Sequence, residues 1–320
     1  PNKRVDVIGY RFRNNHPTYS AGSATEAWGG RSKIGNKVEK NSLKVTGGSV
    51  TTAAYGGIAQ NLEAGDGVDG YKKTGDAAEN KLILEGGTVK HGYGADVRTE
   101  AGNATKNTID LKGAAVSDNL YGGALTHASA SGAATGNTVN LGSGTTNSVT
   151  TVTGTIYGGN QGADTDNVLN VNTNATAGNI ANFGMVNFNF NSTFNQANPM
   201  LNLVGGSVTN LDWDKFKHTG NAPSGTSVLM QNMTGINVSH YRGAKEISST
   251  GTHEYTIDTD TNTATAKQIL FGGYQFKDAN VTPTTSDPAK DIWAGRSVIG
   301  NTTTNNILTI NGTNHRDAYG

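Results

Sequence analysis

The sequence has no cysteine and few charged side chains, and both absences exclude whole classes of protein. Only 16% of the 320 residues are charged, and 25 basic side chains balance 25 acidic ones. Without cysteine there is no disulfide framework, no thiol nucleophile and no Cys-ligated zinc. A low and balanced charge supplies no field that would attract nucleic acid or anionic lipid, so nucleic acid is not a predicted partner.

Good helix formers and long apolar runs are also scarce. Gly, Asn and Thr account for 44, 37 and 42 residues, which excludes a helical bundle. No apolar stretch approaches the roughly 18 residues that a membrane helix needs, so we predict no membrane span in this chain. The sequence begins at Pro1 and shows no signal peptide, and we expect it to be a fragment of a longer chain.

What the sequence does contain is a repeat. Each unit has an anchor residue, apolar residues at +2 and +4, glycines near +6 and +7, and in the clearer copies a Val at +9 and a closing Tyr-Gly-Gly. The anchors are Asn41, Asn80, Asn107, Asn137, Asn167, Pro199 and Asn306. The predicted ladder of +2 and +4 residues is Leu43, Val45, Leu82, Leu84, Ile109, Leu111, Val139, Leu141, Leu169, Val171, Leu201, Leu203, Leu308 and Ile310.

The spacing within each unit predicts strands. Apolar and polar residues alternate with period two, which sends Leu, Val and Ile to one face. Glycines permit sharp corners, and we predict corners at Gly47, Gly48, Tyr55, Gly56, Tyr121, Gly122, Tyr157 and Gly158. Two short strands cannot bury one apolar face alone, so units must stack on one another. The predicted fold is therefore all-β: a parallel β-helix, or β-solenoid, with irregular surface loops.

The anchor asparagines have two possible roles in that fold. Equivalent Asn side chains can form a stacked amide ladder when strands repeat in register. Alternatively, Asn simply tolerates the left-handed conformation that a turn requires. The sequence does not decide between them.

A longer repeat divides the chain. The tetrapeptide at 9–12 matches 273–276 at an offset of 264, and Trp28, Gly30-Arg31-Ser32 and Ile34-Gly35-Asn36 match Trp293, Gly295-Arg296-Ser297 and Ile299-Gly300-Asn301 at an offset of 265. We therefore predict one super-repeat over 1–268, with an irregular region at 213–268, and the start of the next over 269–320.

Signatures of catalysis and of metal binding are weak. The stretch 258–262 resembles the start of an EF-hand loop, but Thr263 replaces its glycine and Ile269 its bidentate Glu. Residues 65–69 give only one copy of a calcium-binding nonapeptide. We predict no catalytic residue, no metal and no cofactor.

Trp213 is a candidate ligand contact, because it lies within the densest charge group, Asp212, Asp214, Lys215 and Lys217. That group leaves a polysaccharide-active groove as a minor alternative.

The Asn-x-apolar-x-apolar strands, the Gly-Gly corners and the Tyr-Gly-Gly closings resemble the passenger domains of autotransporters, the type V secreted proteins of Gram-negative bacteria. The resemblance covers most of 28–210 and 269–320. It implies a parallel β-helix displayed outside the outer membrane for adhesion, aggregation or biofilm formation. No signal peptide, translocating barrel or protease motif accompanies it in this sequence.

Two functions follow as expectations. The first is a non-enzymatic adhesin or stalk at the cell surface, whose partners are host or bacterial surface proteins and glycans. The second is a structural subunit of an extracellular filament or surface layer, whose partners are neighbouring copies of itself, because exposed ends of a stacked repeat present unpaired strands.

Overall fold

The chain is all-β, as predicted. The computed structural model describes residues 13–61, 74–143, 150–160, 166–205, 215–220, 223, 225–231, 246–247, 251–263 and 266–320. All regular elements in these residues are strands. The first thirteen are β1 (Thr18–Tyr19), β2 (Ser23–Ser32), β3 (Val38–Glu39), β4 (Ser42–Gln60), β5 (Ala77–Ala78), β6 (Lys81–Arg98), β7 (Ala104–Thr105), β8 (Thr108–Leu111), β9 (Ala115–Val116), β10 (Leu120–Leu125), β11 (Ala134–Thr135), β12 (Thr138–Leu141) and β13 (Thr150–Gly159). The others are β14 (Val168–Val171), β15 (Ala175–Ala181), β16 (Met185–Asn189), β17 (Leu201–Leu203), β18 (Phe216–Thr219), β19 (Gly225–Gln231), β20 (Glu246–Ile247), β21 (His253–Thr263), β22 (Ala266–Gln275), β23 (Asn280–Val281), β24 (Ile292–Trp293), β25 (Ile307–Leu308) and β26 (Ala318–Tyr319).

Strands from successive repeats pair in parallel, and the pairs form four rows. The first row runs through β1, β4, β6, β8, β12, β14, β16 and β18. The second row joins the early part of β2 and the middle of β4 and β6 to β9, β13, β15 and β17. The third joins the ends of β2, β4 and β6 to β10 and to the ends of β13 and β15. The fourth is the short series β3, β5, β7 and β11.

The register of the first row keeps the +2 and +4 residues aligned. Leu43 pairs with Leu82, Leu82 with Ile109, and Ile109 with Val139. Side chains on one face of a strand alternate with those on the other, so aligned registers stack identical positions. From Leu43 to Leu203, every ladder residue named above is at most 2% exposed.

Buried apolar residues in the described part of the chain form three separate clusters where the sequence suggests one column, and the smallest, Ala53, Tyr55 and Ile58, lies in β4. The main cluster contains the ladder residues from Leu43 to Leu203 together with the second-row residues Val50, Val89, Val116 and Val152. A smaller cluster lies under the fourth row and consists of Val38, Ala59, Ala77, Ala95, Val97, Ala104, Leu125 and Ala134. It is mostly alanine, so the period-two pattern of large apolar residues does not reveal it.

The placement of the Pro199 unit differs from the prediction. Leu201 and Leu203 are buried, but they pair with Ala175 and Ala177 in the second row. Val186 and Phe188 follow Leu169 and Val171 in the first row instead. The reason is that the repeat shortens here: only 17 residues separate Leu169 from Val186, and Val186 has no anchor Asn two positions before it.

The Tyr-Gly-Gly sets do not form the predicted corners. Tyr55 and Gly56 lie inside β4, Tyr121 and Gly122 inside β10, and Tyr157 and Gly158 inside β13, all in the third row. Glycine is needed there for close approach: a Cβ on Gly56 would lie 2.5 Å from the carbonyl oxygen of Gly94. At the other predicted corner, Gly48 has φ 77°, a left-handed conformation that favours glycine. Its neighbour Gly47 has no room for a side chain, because a Cβ there would lie 2.5 Å from the carbonyl oxygen of Ser20.

The parallel rows give way to antiparallel pairing within the region predicted to be irregular. β19 pairs in parallel with β17 and antiparallel with β22, and β22 pairs antiparallel with β21. Parallel pairing then resumes as β23 with β25 and β24 with β26. Here Leu308 is only partly buried and Ile310 is 45% exposed, contrary to the ladder prediction, because in the described residues β25 pairs on one side only.

Candidate functional site

The anchor asparagines form a buried amide ladder. The Oδ1 of Asn80 accepts hydrogen bonds from N (3.1 Å) and Nδ2 (3.0 Å) of Asn41. The same pair of bonds joins Asn80 to Asn107, Asn107 to Asn137 and Asn137 to Asn167. All five side chains are at most 1% exposed. Buried polar groups need such partners, so the ladder satisfies the amides while it fixes the register.

The amides also tie the first row to the fourth. A second bond from each Nδ2, at 3.0 Å, reaches a backbone carbonyl of an earlier unit: Val38 for Asn80, Ala77 for Asn107, Ala104 for Asn137 and Ala134 for Asn167. The left-handed residue is the one before the anchor, such as Lys40 (φ 56°) or Lys106 (φ 55°). Of the two roles left open by the sequence, the structure shows the amide ladder.

A second column consists of stacked tyrosines in the third row. The rings of Tyr55, Tyr93, Tyr121 and Tyr157 lie 4.8 to 5.0 Å apart, with interplanar angles of at most 16°. Tyr93 and Tyr121 are stacked on both faces, and Tyr55 is only 2% exposed. The ring faces are therefore used for packing, and only ring edges and hydroxyls are available to a ligand.

A buried polar cluster lies next to this column. Asp96, 1% exposed, accepts hydrogen bonds from Arg98 Nε (2.7 Å) and from Thr126 Oγ1 (2.7 Å). The Nη2 of Arg98 donates to the hydroxyl of Tyr55 at 2.8 Å, and this hydroxyl lies 3.4 Å from Oε1 of Glu26. The cluster connects four successive repeats, those of β2, β4, β6 and β10, by charge-assisted hydrogen bonds.

Burial governs the ionisation of this cluster. It raises the pKa of Asp96 above its ordinary value, and the opposing effects of Arg98 and Thr126 offset only part of the rise. Burial likewise raises the pKa of Tyr55 and Tyr93, so both phenols are neutral over the physiological range. The sequence does not predict this cluster, because Asp96 and Arg98 lie at alternate positions of a strand and match no motif.

The outer face of the first row is a polar ladder. Asn140 Nδ2 donates to Asp110 (2.7 Å), Asn170 to Asn140 (2.7 Å) and Asn187 to Asn170 (2.9 Å). The Nζ of Lys81 lies 2.6 Å from Oδ2 of Asp110. One side of the chain therefore presents a regular row of amides, the kind of surface that can make hydrogen bonds with sugar hydroxyls or with another protein.

The residues of the predicted ligand contact and of the possible metal sites lie either outside the described residues or within a strand. Trp213, Asp212, Asp214 and the 65–69 stretch lie outside the described residues. Residues 258–262 lie within β21 rather than in a loop. In the described part of the chain, no group of three or more His, Asp or Glu could hold a metal ion, and no helix is long and apolar enough to cross a membrane.

Comparison with models of protein families, with curated proteins and with solved structures gives no match for this chain.

Proposed function

We propose that this chain is a parallel β-helix that acts, without catalysis, as an adhesive rod at the surface of a Gram-negative bacterium. The observation that carries the proposal is the first row, in which eight strands from successive repeats pair in parallel and in register. At about 4.8 Å per strand, this row extends over about 34 Å. Tandem super-repeats would lengthen it further.

The distribution of side chains supports display as the task. Large apolar residues fill the inside of the rows, whereas the outer face of the first row carries three amides in succession, Asn140, Asn170 and Asn187, next to Asp110. Such a face offers many weak and repeated hydrogen bonds, which suits attachment to a glycan or to a protein surface through several contacts at once. The autotransporter resemblance adds the location outside the outer membrane.

Display of the chain on a non-adherent Gram-negative strain tests this function. The chain is fused to an unrelated outer-membrane anchor, and the cells are assayed for autoaggregation and for binding to immobilised glycans and host matrix proteins. We expect at least a tenfold gain over cells that carry the anchor alone. Replacing outer-face amides, as in Asn140→Ala with Asn170→Ala, should reduce that gain, whereas equal binding by cells with the anchor alone would contradict the proposal.

A filament subunit is the second candidate, and one observation favours it. The segment 13–55 and the segment 277–319 share the motifs of the longer repeat and form equivalent contacts, so the same local structure recurs along the chain. A structure that repeats in this way can also repeat between copies in an open, head-to-tail assembly. Electron microscopy of the purified protein at high concentration distinguishes filaments from separate rods.

A further inference from the structure

The outward side of β14 and β16 is an uncharged surface. In both strands, half-buried residues alternate with residues of the main core, and alternate residues of a strand lie on opposite faces. The outward residues of the two strands, together with the one that directly follows Val171 in β14, therefore share one face. We call them the amide face: Val168, Asn170, Asn172, Met185, Asn187 and Asn189.

The register of the two strands arranges these side chains in three columns. The apolar pair Val168 and Met185 is in register, and so is the amide pair Asn170 and Asn187. A hydrogen bond between the two remaining amides makes the third column. Side chains within a column are one strand spacing apart, about 4.8 Å, and neighbouring columns are two residues apart along the strand, about 6.6 Å. The amide face thus has one apolar column beside two columns of amides.

The amides of the middle column have hydrogen-bonding capacity left for a ligand. Asn170 donates through Nδ2 to Oδ1 of Asn140 at 2.7 Å, and its own Oδ1 accepts from Nδ2 of Asn187 at 2.9 Å. A carboxamide has two N–H donors and two lone pairs on its oxygen. Among the described residues, Asn170 therefore keeps one N–H and one lone pair for a group outside the column.

A carboxylate at the start of the middle column polarises its amides. The Nδ2 of Asn140 donates to Oδ1 of Asp110 at 2.7 Å, and Asp110 is only 7% exposed. All three amides donate in the same direction along the column, and members of such a chain polarise one another, so their oxygens become stronger acceptors. The charge of Asp110 is itself paired with Nζ of Lys81 at 2.6 Å. The column therefore offers a ligand strong partial charges without a net charge.

Sugars fit this arrangement better than peptides do. Each sugar hydroxyl is both donor and acceptor, as each amide is, and a sugar ring has an apolar C–H face that suits Val168 and Met185. Residues of an extended (1→4)-β-linked glycan advance by nearly one strand spacing, so successive sugars meet successive amides. An extended peptide instead repeats every two residues, about 6.6 Å, and falls out of step with amides about 4.8 Å apart. Because no side chain of the amide face is charged, a charged ligand has no partner within it.

We propose that the amide face binds a neutral, extended (1→4)-β-linked glycan that lies along the first row. The C–H faces of its rings pack on Val168 and Met185, and hydroxyls at the ring edges bond with Asn140, Asn170 and Asn187. These three amides span two strand steps, about 10 Å, so the column accommodates about three sugar residues. The inference rests on the proposed adhesive function and names the ligand class of its outer face.

Isothermal titration calorimetry of the full-length chain with soluble oligosaccharides tests the ligand class. We expect the dissociation constant to fall at least tenfold from cellobiose to cellotetraose, because each added sugar meets another amide, and to change little beyond that length. Maltohexaose, whose (1→4)-α linkages coil the chain, should bind at least tenfold more weakly than cellohexaose. Absence of cellohexaose binding at millimolar concentration, or equal binding of the two hexaoses, would overturn the proposal.

Variants of the full-length chain test the location of the site. Asn170→Ala removes the central donor and acceptor and should weaken cellohexaose binding at least tenfold. Met185→Gln replaces an apolar contact by a polar one of similar length and should weaken it at least threefold. Thr176→Ala is the matched control, because Thr176 is a half-buried residue of β15 in the second row, and it should bind as the parent does. A folded Asn170→Ala, as judged by circular dichroism, with the parent's affinity would contradict the proposal, and so would an equal loss in Thr176→Ala.

The two proposals fail separately. If the purified chain binds no oligosaccharide but displayed cells still adhere, the glycan site is wrong and the adhesive function stands. If the chain binds cellohexaose but displayed cells do not adhere, the glycan site stands and the adhesive function is wrong.

Discussion

Asn107 Oδ1 accepts two hydrogen bonds from Asn80, one from the backbone N at 3.0 Å and one from Nδ2 at 3.2 Å. Its own N and Nδ2 donate to Asn137 in the same way. Each anchor is therefore both donor and acceptor in a chain of buried amides. Such chains contribute as a set, because removing one member leaves groups unpaired in both neighbours.

Asn107→Ala tests the amide ladder. The change leaves the buried N and Nδ2 of Asn80 without their acceptor and the Asn137 oxygen without its side-chain donor, so we expect a loss of about 2–4 kcal/mol in the free energy of unfolding. Asn170→Ala on the outer amide column is the matched control and should cost less than about 1 kcal/mol. Urea unfolding followed by circular dichroism measures both, and equal losses would show that the ladder has no special role.

Leu111→Asp tests the inward direction of the +4 residues. Leu111 is fully buried in the main core, so an aspartate there is an unpaired buried charge and should cost about 4 kcal/mol or more. The adjacent Lys112, whose side chain is 33% exposed, points outward. Lys112→Asp should cost less than about 1 kcal/mol. If both variants lowered the melting temperature by the same amount, the assignment of Leu111 to the inner face and Lys112 to the outer face would be wrong.

Gly56→Ala tests why the Tyr-Gly-Gly sets contain glycine. A Cβ at this position would meet the carbonyl oxygen of Gly94 at 2.5 Å and the carbonyl carbon of Lys81 at 2.8 Å, and backbone atoms cannot rotate away. We expect a cost of about 1–3 kcal/mol from overpacking. Gly272→Ala in β22 is the control, since its nearest atoms lie 3.9 Å away. A neutral Gly56→Ala, measured by thermal melting, would contradict close stacking of the third row.

The pH dependence of stability should report on Asp96. Because burial raises its pKa in the folded state, the folded chain binds this proton more readily than the unfolded chain does. Protonated Asp96 therefore contributes its full stabilisation below about pH 3.9, the pKa of an aspartate in the unfolded chain. This contribution is lost as the pH rises through the raised pKa of Asp96 in the folded chain. Relative to Asp96→Asn, the parent protein should lose stability in urea unfolding as the pH rises above about 4. If the parent protein instead gained stability over Asp96→Asn as the pH rises, folding would lower the pKa of Asp96 and not raise it.

The sequence predicts the all-β class, and the aligned positions from Leu43 to Val171 follow from period-two alternation. It does not predict the fourth row or its core, because Ala77, Ala104 and Ala134 carry no strong apolar signal. It also misplaces Leu201 and Leu203, since a change in repeat length shifts a unit from one row to another without altering its pattern. The contacts of Glu254 with Val298 and Asn301 join residues far apart in the chain, and no local motif marks them.

The central claim is that successive repeats stack in parallel and in register, and distances between spin labels test it most directly. Lys44, Asn170 and Lys217 belong to one outward column of the first row, four and six strand steps apart from Lys44. With cysteines introduced in pairs into this cysteine-free chain, pulsed electron spin resonance should give about 19 Å for 44 with 170 and about 29 Å for 44 with 217. Distances that do not increase from the first pair to the second would contradict the account.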